Sequence, residues 1–418
     1  MFRYLDINSY FQKVGFAFRA LKSPNFRLFF YGQTVSLLGT FIQNLALGWL
    51  IYRLTDSPFL LGLVGFAGQI PSLVLTPFAG VFADRLNRRK VLVTTQTISM
   101  VMAFVLAFLF FTGRIEIWHI IAISIVNGMS LAFDTPFRHA FLVEMVGNKE
   151  LLPNAIALNS TLINSARFVG PTVGGFLIAW VGEGYCFLIN GVSFLAVIGS
   201  LLAMTVVPLN KGKHRGSIVF ELVEGLRYSF NFKPIRYLIL FVVAMGFFGL
   251  PFQIFLPVFA RDILHGDSQM LGYLTGSMGA GALLGAFYLA SRKGVCSIPK
   301  TIMLTSFVAS FGLVAFSLSS NPIISIVLIF FTGFGMIAQF AATNTLIQHI
   351  VDEDKRGRVV ALYGMSFMGI TPLGSLLLGA ISPWAGVQIT LVGSGIFCLV
   401  AALIYTKRMP IINKEVCV

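Results

Sequence analysis

The chain has 418 residues, 56% of them hydrophobic and only 11% charged, with a mean hydropathy of +0.85. A soluble domain carries about twice that charged fraction, so composition excludes a water-soluble enzyme and indicates a polytopic membrane protein. The formal net charge of +14 would suggest a nucleic-acid partner in a soluble chain; here its placement along the sequence gives it a topological meaning.

The first 25 residues carry Arg3, Lys13, Arg19 and Lys22 without a long apolar block. No cleavable signal is read there, and the first membrane helix is expected to serve as the targeting signal. Twelve apolar segments follow, at 26–52, 59–82, 91–112, 117–137, 154–180, 185–206, 236–260, 269–290, 300–319, 322–345, 358–381 and 387–406. Each is long enough to cross a bilayer. Segment 1 carries Gln33, Ser36, Thr40 and Gln43 at helical spacing, a polar stripe on one face. The hairpin after segment 2 reads Gly80-Val-Phe-Ala-Asp84-Arg85-Leu-Asn-Arg88-Arg89-Lys90. It places a carboxylate among cations at a membrane edge, and Gly80 allows close helix approach. Segment 4 has Asp134 and Arg138 towards its end. None of the sixteen acids falls at mid-bilayer, and Asp134 comes nearest.

Segment 5 is the most informative. Ser160, Asn164, Arg167, Pro171 and Gly174 recur at steps of three or four and are expected to share a face, with Ile163 elsewhere. Arg167 lies roughly 20 Å along the helix from Asn154 at 1.5 Å per residue. A cation at that depth costs roughly 3 kcal/mol on insertion scales, so it should face protein or a wet cavity. It either holds a hydrogen-bond network with Asn164 and helix carbonyls or contacts an anionic or carbonyl-rich substrate. The stretch Gly170-Pro171-Thr-Val-Gly174-Gly175 supplies small residues where helices pack closely, with a proline kink. Further on, Gln253 between two prolines, Gln339 with Thr343, and Tyr363 with Ser366 are weaker candidates for the same cavity.

Positive charge orients the chain. Of the 30 Lys and Arg residues, 26 fall in the terminal segments and even-numbered connections; only Arg53, Arg114 and Arg261 fall on the opposite side. That bias puts both termini in the cytoplasm and makes the basic character an orientation signal, with no nucleic-acid partner. The longest connection, about 207–235, divides the chain into a first bundle at 1–206 and a second at 236–418. Within it, Ile218 to Tyr228 could form an amphipathic surface helix or remain a solvated linker. Ala83-Asp84-Arg85 resembles Ala290-Ser291-Arg292, His139 matches His349, and Pro171 matches Pro372, at offsets of 207, 210 and 201. Two related halves are therefore expected. The four cysteines have no paired spacing and the five histidines no metal spacing. No phosphate-binding glycine loop or catalytic cluster is present, so neither an enzyme nor direct ATP use is expected. No cofactor is expected either.

The hairpin after segment 2 resembles the G-x-x-x-D-R-x-G-R-[RK]-[RK] loop of the major facilitator superfamily, with Asn87 where glycine is usual. Segment count, halves and orientation extend the resemblance over nearly the whole chain. It implies an all-α membrane protein of twelve transmembrane helices in two pseudo-symmetric six-helix bundles, working by alternating access. It also implies that Asp84 caps the start of segment 11 near Gly357 and pairs with Arg138, with Gly80, Arg85 and Arg88 in the same gate. The G-P-x-x-G-G stretch resembles a signature of the superfamily's exporters, where Gly170, Pro171, Gly174 and Gly175 would seal the halves. The run from Asn127 to Asn159, with D-T-P-F-R-H and N-A-I-A-L-N-S, resembles the subgroup of enterobactin exporters and macrolide-efflux proteins. That resemblance implies a small amphipathic cargo such as a siderophore or drug, and proton coupling; a bacterial inner-membrane location and a monomeric unit are expected with it. Asp134, the acid nearest mid-bilayer, is the expected proton site, unless coupling runs through the cargo's own charge at Arg167. An importer of the same fold and an uncoupled lipid transporter remain the alternatives.

Overall fold

The structure, a computed structural model, describes residues 18–206, 218–292, 294–353 and 355–416. Among the described residues, twelve helices are long and apolar enough to span a membrane. They are α1 (Pro24–Thr55), α2 (Pro58–Arg85), α3 (Arg88–Phe111), α4 (Ile117–Val146), α5 (Leu152–Val181) and α6 (Glu183–Ala203). After them come α7 (Lys233–Ile263), α8 (Ser268–Ala290), α9 (Val295–Leu318), α10 (Pro322–Ile350), α11 (Arg356–Ala385) and α12 (Val387–Val416). No strand occurs among the described residues, as expected where lipid cannot satisfy backbone polar groups.

Helix starts are written in the sequence. Pro24, Pro58 and Pro322 stand in the first turn of their helices, where the missing N–H is no loss. Asn87 accepts from the Lys90 N–H at 3.1 Å, Asp267 from Gln269 at 2.9 Å and Asn321 from Ile323 at 3.0 Å. These caps let successive helices reverse within a few residues.

The same pairings recur in each half. In the first, α1 packs on α6, α2 on α4, and α3 on both α4 and α6; in the second, α7 packs on α12, α8 on α10, and α9 on α10 and α12. The halves meet along two seams, α5 against α8 and α2 against α11. The seams also align the repeat. Gly175 abuts Gly272 as Gly379 abuts Gly62, and Gly272 faces the Pro171 carbonyl as Gly62 faces that of Ser375. The matched residues of α5 and α11 are therefore offset by 204. Pro171 corresponds to Ser375 and not to Pro372, a correction of about one turn.

The connection at 207–235 lies partly outside the described residues. Its described part forms a helix at Ile218–Asn231. That helix docks on the start of α11 and the turn before it: Glu224 pairs with Arg358 at 2.9 Å, and the Tyr228 hydroxyl donates to Asp352 at 3.1 Å.

Candidate functional site

A cavity of about 780 Å³ lies between the halves, lined by all six helices of the first half and by α7 and α8 of the second. Gln33, Ser36, Thr40 and Gln43 all face it. The Thr40 hydroxyl donates to the Ser36 carbonyl at 2.9 Å, and Gln43 is held by the Asn190 amide of α6, also at 2.9 Å. Gln253 reaches the cavity from the irregular turn of α7.

On α5 the lined face is Asn159, Ile163, Arg167 and Pro171, at steps of four. Arg167 is thus where the sequence puts it. Among the described residues it has no hydrogen bond or ion pair, so the network with Asn164 expected on the structural reading does not form. The Asn164 amide donates to its own helix, to the Ser160 carbonyl at 2.9 Å. A residue three positions before Arg167 lies about 60° round the helix from it, and here that direction is towards α8. The glycine contacts fix this rotation: a Cβ on Gly170 would lie 2.6 Å from Phe41 on α1, and one on Gly175 2.6 Å from the Ser268 carbonyl on α8.

Gln339 and Tyr363 do not line the cavity. Gln339 is wholly buried, its amide against the Met336 sulfur at 3.6 Å, and the Thr343 hydroxyl donates to its carbonyl at 2.7 Å. The Tyr363 hydroxyl donates to the Phe340 carbonyl at 2.8 Å. Helix α10 sits behind α8, so its polar residues turn into the second half. Burial of polar side chains among helices satisfies the same spacing as cavity lining does.

Asp134 is 4% exposed and lies at the cavity wall with Arg138 and His139. It accepts from the Gln96 amide at 2.6 Å and the Thr95 hydroxyl at 3.3 Å, and it pairs with Arg138 one turn on. Arg138 therefore engages Asp134, whereas the resemblance pairs it with Asp84. The side chain of Asp84 lies outside the described residues. Nearby, Arg88 ties the α2–α3 turn to α4 through Glu144 at 2.6 Å, and Arg85 is exposed at the end of α2.

The close contacts across the seams lie towards the face opposite the basic one. Besides the paired glycines, the Ser268 hydroxyl donates to the Gly175 carbonyl at 3.1 Å. A Cβ on Gly276 would lie 2.0 Å from Thr172, and one on Gly279 2.8 Å from Phe168. That same face carries residues the sequence reading passed over: Arg261 of α7 pairs with Asp56 at 2.5 Å, and the Tyr52 hydroxyl bonds Asp262. At the basic face, Gly80 of α2 and Gly357 of α11 have no heavy atom within 4 Å of a Cβ position. The close packing between the halves thus lies away from the basic face. Gly170 and Gly174 pack on α1, while Gly175 alone of the signature glycines crosses to the other half.

Gln96, Asn127, Asn159 and Asn190 were not picked out as lining residues. They are single polar residues on four helices, without a local stripe, and only Asn159 has a periodic link to Arg167.

Two related six-helix halves around one mostly apolar cavity with a polar wall, packed tightly at one face, define a membrane transporter of the major facilitator kind. The family model of transmembrane secretion effectors matches residues 16–416, and the chain belongs to that family of the major facilitator superfamily. It is 25% identical over 389 residues to a staphyloferrin A transporter of Staphylococcus aureus, covering 91% of this chain and 96% of that one. It is 23% identical over 410 residues to macrolide efflux protein A of Streptococcus pyogenes, covering 94% and 98%. Among solved structures, a bacterial homologue of the lysosomal transporter Spinster superposes with a TM-score of 0.72 at 16% identity, covering 94% and 98% of the two chains. The chain is a multi-pass membrane transporter and not an enzyme, with the fold and subgroup that the motifs implied.

Proposed function

We propose that the protein exports a small amphipathic, anionic molecule from the cytoplasm across the bacterial inner membrane, driven by proton entry. The observation that carries this reading is the Arg167 guanidinium in the cavity wall, which has no hydrogen bond or ion pair among the described residues. A cation held there without a protein counter-charge is costly in the empty site and is offset when an anion binds. Positive charge on the terminal face supports cytoplasmic termini, and the tight seams on the opposite face support cargo entering from inside the cell. The G-P-x-x-G-G stretch and the efflux named for the macrolide relative support outward movement, and the relative named for staphyloferrin A supports a siderophore-like cargo.

Asp134 is the proposed proton site: it is the carboxylate on the cavity wall, and protonation would release Arg138. Gly80, Asp84, Arg85, Arg88 and Arg138 are proposed to form the inner gate in the alternate state, with Asp84 capping α11 near Gly357. The units moving past each other are proposed as residues 1–206 and 236–418, joined by 207–235, in a monomer.

The test is transport in inverted membrane vesicles, using the metabolite that accumulates in cells lacking the gene. Uptake that requires an inward-acid gradient is expected. Uptake only into right-side-out vesicles would make the protein an importer, and gradient-independent movement of lipid would make it an uncoupled lipid transporter.

A further inference from the structure

The second half carries a pair of cations that transport through the central cavity does not use. Arg236 of α7 and Arg408 of α12 both approach the ring of Tyr237, their guanidinium carbons 5.4 and 5.3 Å from its centroid. The two guanidiniums are therefore at most about 11 Å apart. Neither has a hydrogen bond or ion pair among the described residues. No acid stands in the first turn of α7, and on α12 the next acid, Glu415, lies about 10 Å further from the membrane. Attraction to the ring holds each guanidinium in place but leaves its N–H groups without an acceptor.

Both arginines sit at the edge of the apolar layer. Arg236 follows the start of α7 at Lys233 within one turn, and Arg408 comes just after the apolar segment 387–406. Deeper on the same helix faces, at steps of four, stand exposed apolar side chains: Leu240 below Arg236, and Ile404 then Val400 below Arg408, at 46%, 56% and 45% exposure. Between the two helices the Phe241 and Tyr405 rings meet at 4.9 Å and close the junction one turn below Tyr237. The matching junction of the first half, α1 against α6, is built otherwise. There the Asn25 amide donates to the Thr205 carbonyl at 2.8 Å, and Asn25 accepts from the Thr205 N–H at 3.2 Å. Protein groups stitch that junction, whereas this one turns its donors outward over a hydrocarbon surface.

We propose that Arg236 and Arg408, positioned by Tyr237, bind the phosphate of an anionic phospholipid in the leaflet at the basic face. A guanidinium fork matches phosphate oxygens, and basic pockets between membrane helices at such a face take anionic headgroups. The acyl chains lie along Leu240 on one side and Ile404 and Val400 on the other. A zwitterionic headgroup brings its own cation to the arginines and is disfavoured. Free phosphate shares the chemistry of the head but makes no use of the apolar face beneath it, which commits the site to a lipid.

The test is lipid retention by the purified full-length protein, read by native mass spectrometry. Phosphatidylglycerol and phosphatidylcholine with identical acyl chains are titrated against the native protein and its variants, and the first lipid bound is followed. The native protein should hold phosphatidylglycerol at least about fivefold more tightly than phosphatidylcholine, since one cation near a headgroup contributes about that factor. Arg236→Gln and Arg408→Gln should each weaken phosphatidylglycerol about fivefold and leave phosphatidylcholine within about twofold, which also shows that the variants fold. Lys149→Gln, which removes an exposed cation of the basic face in the first half, should change neither lipid. Inorganic phosphate and glycerophosphoglycerol, the headgroup without chains, should not displace the lipid at millimolar concentration. Displacement by either would overturn the lipid assignment and leave a free-phosphate site. A loss with Lys149→Gln equal to that of the arginine variants would reduce the effect to general attraction by the basic face and remove the site. Unchanged phosphatidylglycerol binding in both arginine variants, or equal binding of the two lipids by the native protein, would remove it as well.

Discussion

The two halves share a helix plan but divide the work. Every ionisable side chain that lines the cavity, namely Asp134, Arg138, His139 and Arg167, comes from the first half. The second half contributes Gln253, Thr275 and a mostly apolar surface. The backbones differ in the opposite sense. Helices α1 and α5 run unbroken through Pro24–Thr55 and Leu152–Val181. Their counterparts α7 and α11 contain wide π-helical turns at Met245–Gly249, Phe259–Ile263 and Met365–Gly369. Carbonyls at such turns need other partners: Ser394 donates to Phe248, and Thr371 donates to Gly246 at 3.3 Å. A duplicated fold thus keeps its chemistry in a regular half and its irregular, hinge-like turns in the other.

The largest effect that would break this division lies at Arg167. Arg167→Ala should cut transport about tenfold to a hundredfold, since a charge-assisted contact is worth about 1.5–3 kcal/mol and the second half lines the cavity with no cation among the described residues. Met278→Ala and Gln253→Ala, across the cavity, should each cost less than about threefold. Transport rates normalised to membrane-inserted protein decide the matter, and equal losses from both walls would end the contrast. Coupling comes next. Asp134→Asn should cut gradient-driven transport about tenfold and leave downhill cargo movement, because its pair with Arg138 can no longer respond to a proton. Retained gradient dependence in that variant would move the proton site elsewhere.

How far the sequence foretold this depends on the kind of signal. The twelve spans were legible because hydropathy over twenty residues is a summed quantity. The α1 stripe was legible because four polar residues at helical spacing have one apolar-helix explanation, a shared polar surface. The α5 face was read about 40° off. Polar spacing of three and of four both fit, and only the contacts of Gly170 with α1 and Gly175 with α8 choose between them. Gln339 and Tyr363 failed for a different reason: a polar side chain inside a bundle can be satisfied by neighbours, and single positions carry no sign of which helix stands behind. The pairing of Gln96 with Asp134, and of Arg261 with Asp56, joins residues far apart in the chain, beyond any local pattern.

The seams sharpen the comparison from another side, because there the halves should behave alike. A Cβ on Gly62 would lie 2.5 Å from the Ser375 carbonyl, and one on Gly272 3.0 Å from the Gly175 Cα. Both meet backbone, which cannot swing aside. Gly62→Leu and Gly272→Leu should each open the closed face and shift the balance of states about tenfold, in line with overpacking costs of about 1–3 kcal/mol. Cysteine accessibility at that face measures it, and an effect confined to one seam would show that the pseudo-symmetry does not extend to closure.

The smallest effect should come from the ion pair that joins the halves at the closed face. Arg261 and Asp56 are 39% and 69% exposed in their side chains, so water and salt screen the attraction. Exposed pairs are worth about 0.2–1 kcal/mol, against the larger cost of separating the glycine seams. The Arg261 guanidinium also stands 5.5 Å from the Tyr52 ring, and the Tyr52 hydroxyl bonds Asp262, so part of the contact survives loss of one charge. Arg261→Gln should therefore shift the states no more than about fivefold, with the shift shrinking as salt rises. Asp56→Asn should do the same, and the double variant should be no worse than either alone, because both remove one interaction. Additive losses in the double variant would show that the two residues act separately. A loss as large as that from the glycines would make charge, not close packing, the main closure of this face.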